Sequence, residues 1–115
     1  MDPQFPKNDK DLPDIEYTLA TTSDEVEIDA SMLCCIRRVR QQFSGTGPWR
    51  VKIYEDAAKT KLMYDSMSRD GSVTDFEDPT PRVFANRDVA SLFYATLTGQ
   101  VGDKITLGFS ILDLQ

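Results

Sequence analysis

Histidine is absent from this chain of 115 residues, and its only two cysteines, Cys34 and Cys35, are adjacent. The first absence removes the side chain that most often moves protons or ligates metals near neutral pH. The second leaves no spaced thiol pair. Neighbours on a strand point to opposite faces, so a Cys34–Cys35 bond would be strained, and a redox or metal site lacks its spacer. Both thiols are expected as small buried apolar groups. No apolar run is long enough for a membrane-spanning helix, and Met1-Asp2-Pro3-Gln4-Phe5-Pro6 lacks the basic-then-apolar order of a signal peptide. Synthesis in a cytoplasm is expected, and a membrane partner is not. No Ser or Lys stands in a recognisable nucleophile setting, so the chain reads as non-enzymatic and without a cofactor.

Positive charge is scarce at one end. Residues 1–30 hold nine carboxylates against Lys7 and Lys10, a net −7, while the whole chain carries −6. The acidity therefore belongs to the N-terminal part, where Pro3, Pro6 and Pro13 exclude a helix and favour extended backbone. Residues 1–14 are expected to form an extended acidic arm, available to lie on a basic partner or simply solvated. The basic cluster Arg37, Arg38 and Arg40 is too narrow for a nucleic-acid footprint in a chain of this charge. On a strand Arg38 and Arg40 share a face with Arg37 opposite, and the first two are expected to meet carboxylates, among them Asp9, Asp11 and Asp14 of the arm, in the same or a neighbouring subunit.

What the chain has in quantity is alternation. After the Gly47-Pro48 break, Trp49, Val51 and Ile53 alternate with Arg50, Lys52 and Tyr54, which predicts a half-buried strand, and Lys61-Leu62-Met63-Tyr64 completes a hairpin. Ile15, Tyr17 and Leu19 predict an earlier strand. Val26 and Ile28 alternate with Glu25, Glu27 and Asp29, the signature of an edge strand with one carboxylate face. Met32, Ile36, Val39 and Phe43 sit at helical spacing, yet the β-branched content and the following Gly-Thr-Gly-Pro turn favour a strand over 31–43, with a helix as the alternative. Ser66 to Pro81 reads as a surface loop anchored by Phe76, Val83-Phe84-Ala85 as a short strand, Val89 to Leu97 as a central strand, and Ile105 to Leu112 as the last strand. Strands joined by Gly, Pro and Asp turns predict an all-β fold, an antiparallel β-sandwich of jelly-roll type over 15–115.

Asp70, Asp75, Glu77, Asp78 and Asp88 offer hard oxygen ligands on one stretch, without EF-hand spacing, and such a stretch is more often solvated than calcium-bound. A carboxylate pair for glycoside hydrolysis finds no cleft to sit in. Trp49 and Phe93 are in apolar phase and belong in the core, whereas Tyr54 and Tyr64, near the hairpin ends, are the plausible surface aromatics.

The order Pro48-Trp49-Arg50-Val51-Lys52-Ile53-Tyr54-Glu55, Lys61 to Tyr64, a polar Asp/Pro stretch, Asp88 to Tyr94 and a closing Ile105 to Phe109 strand resembles the small jelly-roll and β-sandwich virion accessory proteins of tailed bacteriophages, head decoration proteins and tail or fibre modules among them. The resemblance spans about residues 24–113, is one of pattern, and carries no residue over by position. It implies a structural, often oligomeric protein located in the virion, with an N-terminal extension that anchors it to neighbours. Protein subunits are the partners it implies, self or a larger assembly, and the residues expected to meet them are Asp9, Asp11, Asp14, Arg38, Arg40, Arg50, Lys52 and Tyr54. Similar domains occur as carbohydrate-binding modules, which makes a small glycan-binding module, calcium-assisted through the Asp70–Asp88 stretch, the alternative.

Overall fold

A computed structural model describes residues 9–78 and 90–113. They form eight strands and no helix: β1 (Asp9–Asp11), β2 (Ile15–Thr18), β3 (Ser23–Ser44), β4 (Arg50–Tyr54), β5 (Leu62–Asp65), β6 (Asp75–Asp78), β7 (Ala90–Thr98) and β8 (Lys104–Asp113). All pairings are antiparallel, in the order β1-β8-β3-β7-β4-β5, with β2 on β8 and β6 on β3.

The 22-residue strand β3 makes this one hydrogen-bonded sheet into two layers. Its first part, residues 23–29, pairs with β7, and its last part, residues 34–44, pairs with β8 and, at 39–42, with β6. Between them the ladder slips, since Asp29 faces Leu92 while Cys34 faces Ala90. Ser31 takes a left-handed φ of 63° there, and the Asp29 carboxylate accepts its N–H at 2.8 Å. The strand turns this corner, and the β3-β7-β4-β5 layer packs on the β6-β3-β8 layer, with β1 and β2 at the β8 edge. The result is the antiparallel β-sandwich expected from the alternation.

Alternation supplies the core. Val51 and Ile53 from β4, Phe93, Ala95 and Leu97 from β7, and Ile105, Leu107, Phe109 and Ile111 from β8 are buried, the larger ones each worth about 1.5–3 kcal/mol of apolar transfer. Trp49 and Phe43 stack with centroids 5.3 Å apart, and the indole N–H donates to the Val73 carbonyl at 3.0 Å. Across the interior, the Gln41 amide nitrogen lies 3.0 Å from the Tyr64 hydroxyl and ties β3 to β5.

The helix-like spacing at 31–43 has a specific cause. Ile36 pairs with Ile111 and Arg38 with Ser110, so Arg37 and Arg38 occupy one step of the partner strand. This β-bulge resets the phase. Cys34 and Ile36 point inward before it, Val39, Gln41 and Phe43 after it, and the Ile36-to-Val39 interval of three mimics a helical repeat. Residues 23–29 pair on the β7 side only, among the described residues, and expose Glu25, Glu27 and Asp29, as an edge strand should.

Three expectations need correction. The stretch from Ser66 to Pro81 is not a loop throughout, because β6 pairs with β3 within it. Tyr64 is buried: a register shift between Ile53 and Tyr54 places Leu62 opposite Tyr54 and Tyr64 opposite the inward Ile53. Arg37 is exposed beside Arg38 and Arg40 rather than facing away from them, through the bulge just described. The Val83–Ala85 strand lies outside the described residues, as do the side chains of Cys35 and Phe76. Cys34 is buried, as expected of a small apolar group.

One end of the sandwich is organised by Asp103, which is 3% exposed. Its carboxylate accepts the backbone N–H groups of Thr46 at 2.9 Å, Gly47 at 3.1 Å and Gln100 at 2.9 Å, and its carbonyl accepts that of Leu19 at 2.8 Å. Three connections thus meet on one residue. Gly45, with φ of 152°, is required beside it, since a Cβ there would stand 2.1 Å from Asp103 Oδ1. Burial pushes the Asp103 carboxyl up, but the backbone donors from Thr46, Gln100 and Gly47 outweigh it and hold it below the usual carboxylate range. A depressed folded-state value means that the ionised form stabilises the fold at neutral pH, and that this contribution fades as pH falls below about 4. Asp103→Ala, which leaves three inward N–H groups without their acceptor, is expected to cost about 3 kcal/mol in denaturant melts at pH 7. Asp103→Asn should cost less and flatten the acid dependence between pH 5 and pH 2. An Asp103→Ala melt within error of the parent contradicts the assignment.

Candidate functional site

Seven of the eight residues singled out from the sequence divide between the two outer faces. On the β3-β8 layer, Arg38 lies opposite Ser110, which lies opposite Asp11, and the Ser110 hydroxyl donates to the Asp11 carboxylate at 2.7 Å. One step along, Arg40 lies opposite Gly108, and its guanidinium reaches across β8 to Asp14 at 3.5 Å. Gly108 makes that crossing possible, for a Cβ there would sit 2.4 Å from Arg40 Nη2 and 2.9 Å from Asp14 Oδ1. The acidic arm and the arginine cluster therefore meet within one chain. Asp9 faces Leu112 in the register, and its side chain lies outside the described residues.

This contact is half open to water, with side-chain exposures of 38% for Arg40 and 62% for Asp14, so the pair contributes only about 0–1 kcal/mol. Its role is to set where the arm lies. Backbone pairing does the rest: β1 runs along β8, and the Leu12 N–H donates to the Phe109 carbonyl at 2.9 Å. Beside it, Glu16, Gln42, Ser44, Lys104 and Thr106 line a shallow groove of about 210 Å³, crossed by Lys104 and Glu16 at 3.8 Å. None of these groups is a nucleophile paired with a base.

The opposite outer face, on the β3-β7-β4-β5 layer, holds Arg50, Lys52 and Tyr54. Cross-strand register sorts it into rows: Glu25, Thr96, Lys52 and Asp65 in one, and Glu27, Tyr94, Tyr54 and Leu62 in the next. Arg50 makes a two-pronged bond to Asp65, Nε to Oδ1 at 2.8 Å and Nη2 to Oδ2 at 2.5 Å. That guanidinium holds the Asp65 carboxyl below its ordinary range, against the upward push of burial. Lys59, from the β4–β5 connection, pairs with Glu25 at 2.5 Å. Tyr54 and Tyr94 lie directly opposite each other, both half-buried, with Leu62 beside them 46% exposed. A pair of tyrosines and an exposed leucine on a four-stranded sheet face form an amphipathic platform, one apolar side and a hydroxyl tip per ring.

Among the aromatics Trp49, Tyr54, Tyr64, Phe84 and Tyr94 that could form a stacking platform, the sequence favours Tyr54 and Tyr64 as the surface pair, whereas the β4–β7 register sets Tyr94 opposite Tyr54. Asp103 and Gly108 were not singled out at all. A glycine inside an otherwise regular strand is the signal that marks a close crossing such as that of Arg40. Of the calcium stretch, only the Asp70 and Asp75 side chains are described: the Asp70 carboxylate accepts the Ser72 hydroxyl at 2.5 Å and its N–H at 3.2 Å, Asp75 begins β6, and no group of three or more metal-ligating side chains occurs among the described residues. The Glu77 and Asp78 side chains, and Asp88, lie outside them. The Ser72 hydroxyl and N–H hold the Asp70 carboxyl below its usual range.

No protein-family model, curated protein or solved structure matches the chain.

Gly108→Ala is expected to displace the Arg40 guanidinium, a flexible tip, and so to loosen the arm without unfolding the sandwich. Amide exchange at residues 10–12 should accelerate at least about tenfold while the global melt shifts by about 1 kcal/mol or less. Unchanged exchange at those residues contradicts the role given to Gly108.

Proposed function

We propose that this chain is a non-enzymatic structural protein that works by contact with neighbouring protein subunits, as an accessory subunit of a larger assembly such as a virion capsid or tail. The observation that carries the reading is the outer face of the β3-β7-β4-β5 layer, where Tyr54 and Tyr94 stand opposite each other between Lys52, Glu27 and the exposed Leu62. Tyrosine and arginine are the side chains that dominate protein interfaces, because they bury large area for little conformational entropy and keep a polar tip. Here they stand on strands whose inner faces are packed in the core, so the platform is held rigid before any partner arrives. The other outer face supports the same reading, since there the arm lies along β8, with Asp14 against Arg40 and Asp11 against Ser110.

Glycan binding is the second reading, and the same tyrosine pair favours it, since an aromatic face is what a sugar ring stacks on. Co-expression with the proteins encoded beside it, followed by size-exclusion chromatography, separates the two. A stable complex is expected, weakened at least about tenfold by Tyr54→Ser combined with Tyr94→Ser, with the melt of the isolated chain unchanged to within about 1 kcal/mol. A chain that forms no protein complex and instead binds oligosaccharides in an array through Tyr54 and Tyr94 contradicts the structural reading.

A further inference from the structure

We propose that the tyrosine face is the interface of a homodimer, two copies packing face to face about a two-fold axis along β7. The inference rests on the protein-contact reading above and adds the identity of the partner. It follows from how charge is laid out on this face. Glu25, Glu27 and Asp29 form a column of carboxylates along β3, Arg50 and Lys52 form a basic column along β4, and β7 runs between them with Tyr94 and Thr96 facing outward. Two strand spacings separate the columns, about 10 Å, too far for direct ion pairs across the face.

Among the described residues, Glu27 and Lys52 make no ion pair within the chain, and Lys52 contributes only a longer-range attraction to Asp65. Arg50 is taken by Asp65 and Glu25 by Lys59, so Glu27 and Lys52 are the opposite charges left without a close mate among the described residues of this face, and they make it complementary to itself. Rotation by half a turn about an axis along β7 exchanges the two columns. Each copy's Glu25 then stands over the other's Lys52 and its Glu27 over the other's Tyr54, one row along and within reach of the same lysine, while Arg50, level with Ser23, stays with Asp65. Tyr94 meets its own counterpart on the axis, and Tyr54 packs beside it. Such a contact is isologous and closes at two copies. The strands of the facing sheets run nearly aligned, the common geometry of stacked sheets. A mixed-charge face of this kind also disfavours partners of uniform sign, which would oppose one of the columns.

Charge reversal tests this on the full chain by sedimentation over a concentration series, with thermal melts as the folding control. The parent is expected to dimerise in a concentration-dependent way. Lys52→Glu and Glu27→Lys should each raise the dissociation constant at least about tenfold, and the double variant, which restores opposite signs across the axis, should recover most of the loss. A parent that stays monomeric to roughly millimolar concentration overturns the homodimer. So does a dimer indifferent to both reversals, or one that the double variant fails to rescue. In each case the protein-contact reading is judged separately, by whether complexes with other subunits form and depend on Tyr54 and Tyr94.

Discussion

The carboxylate of Asp103 is the contact on which the rest of this molecule depends. A β-sandwich closed only by apolar packing leaves the ends of its layers free to slide, because dispersion and hydrophobic burial carry little direction. Asp103 supplies direction at one end: its two oxygens collect the N–H groups of the β3–β4 connection and of the β7–β8 turn, while its backbone carbonyl holds Leu19 in the β2–β3 connection. Charged acceptors in a water-poor setting bind N–H donors more strongly than neutral ones do. Gly45 and Gly99 line that pocket because a Cβ at either position would meet the Asp103 side chain or Leu19.

With that end fixed, the long strand β3 can serve both layers. Its corner at residues 30–33 and its bulge at Arg37 distribute one stretch of sequence over two environments, an acidic outer edge on one layer and an arginine-bearing outer face on the other. The two outer faces consequently differ in kind. One is quenched internally, the arm's carboxylates lying over β8 against Ser110 and Arg40. The other keeps its acidic and basic columns apart, with Tyr94 between them and Tyr54 beside it on β4, and contact with other subunits is proposed there.

The strands with regular alternation, β2, β4 and β8, were legible from the residues alone, as was the carboxylate edge at the start of β3. What escaped were the places where phase is reset. The bulge at Arg37 turned a strand into an apparent helical repeat and brought Arg37 onto the face of its neighbours, and the shift in the β4–β5 ladder carried Tyr64 inward to Gln41. Both depend on pairing with a distant strand, which no local pattern contains. The candidate residues were chosen by charge and exposure, and the structure splits them between opposite faces. Asp14 meets Arg40 and Asp11 meets Ser110, whereas Tyr54 gains Tyr94 as a neighbour only through the β7 register. Asp103 was hidden for a simpler reason: an aspartate closing a glycine-rich turn looks like any solvated turn residue until the N–H groups that donate to it are counted.

Native-state hydrogen exchange at the Thr46, Gly47 and Gln100 amides tests the central claim most directly. All three lie in turns, where exchange is ordinarily fast. If the Asp103 carboxylate holds the ends of the layers together, these amides exchange only through global unfolding, with the same free energy as the core amides of β7 and β8. Exchange at rates typical of open turns, uncoupled from the core, would show that the sandwich is held without Asp103.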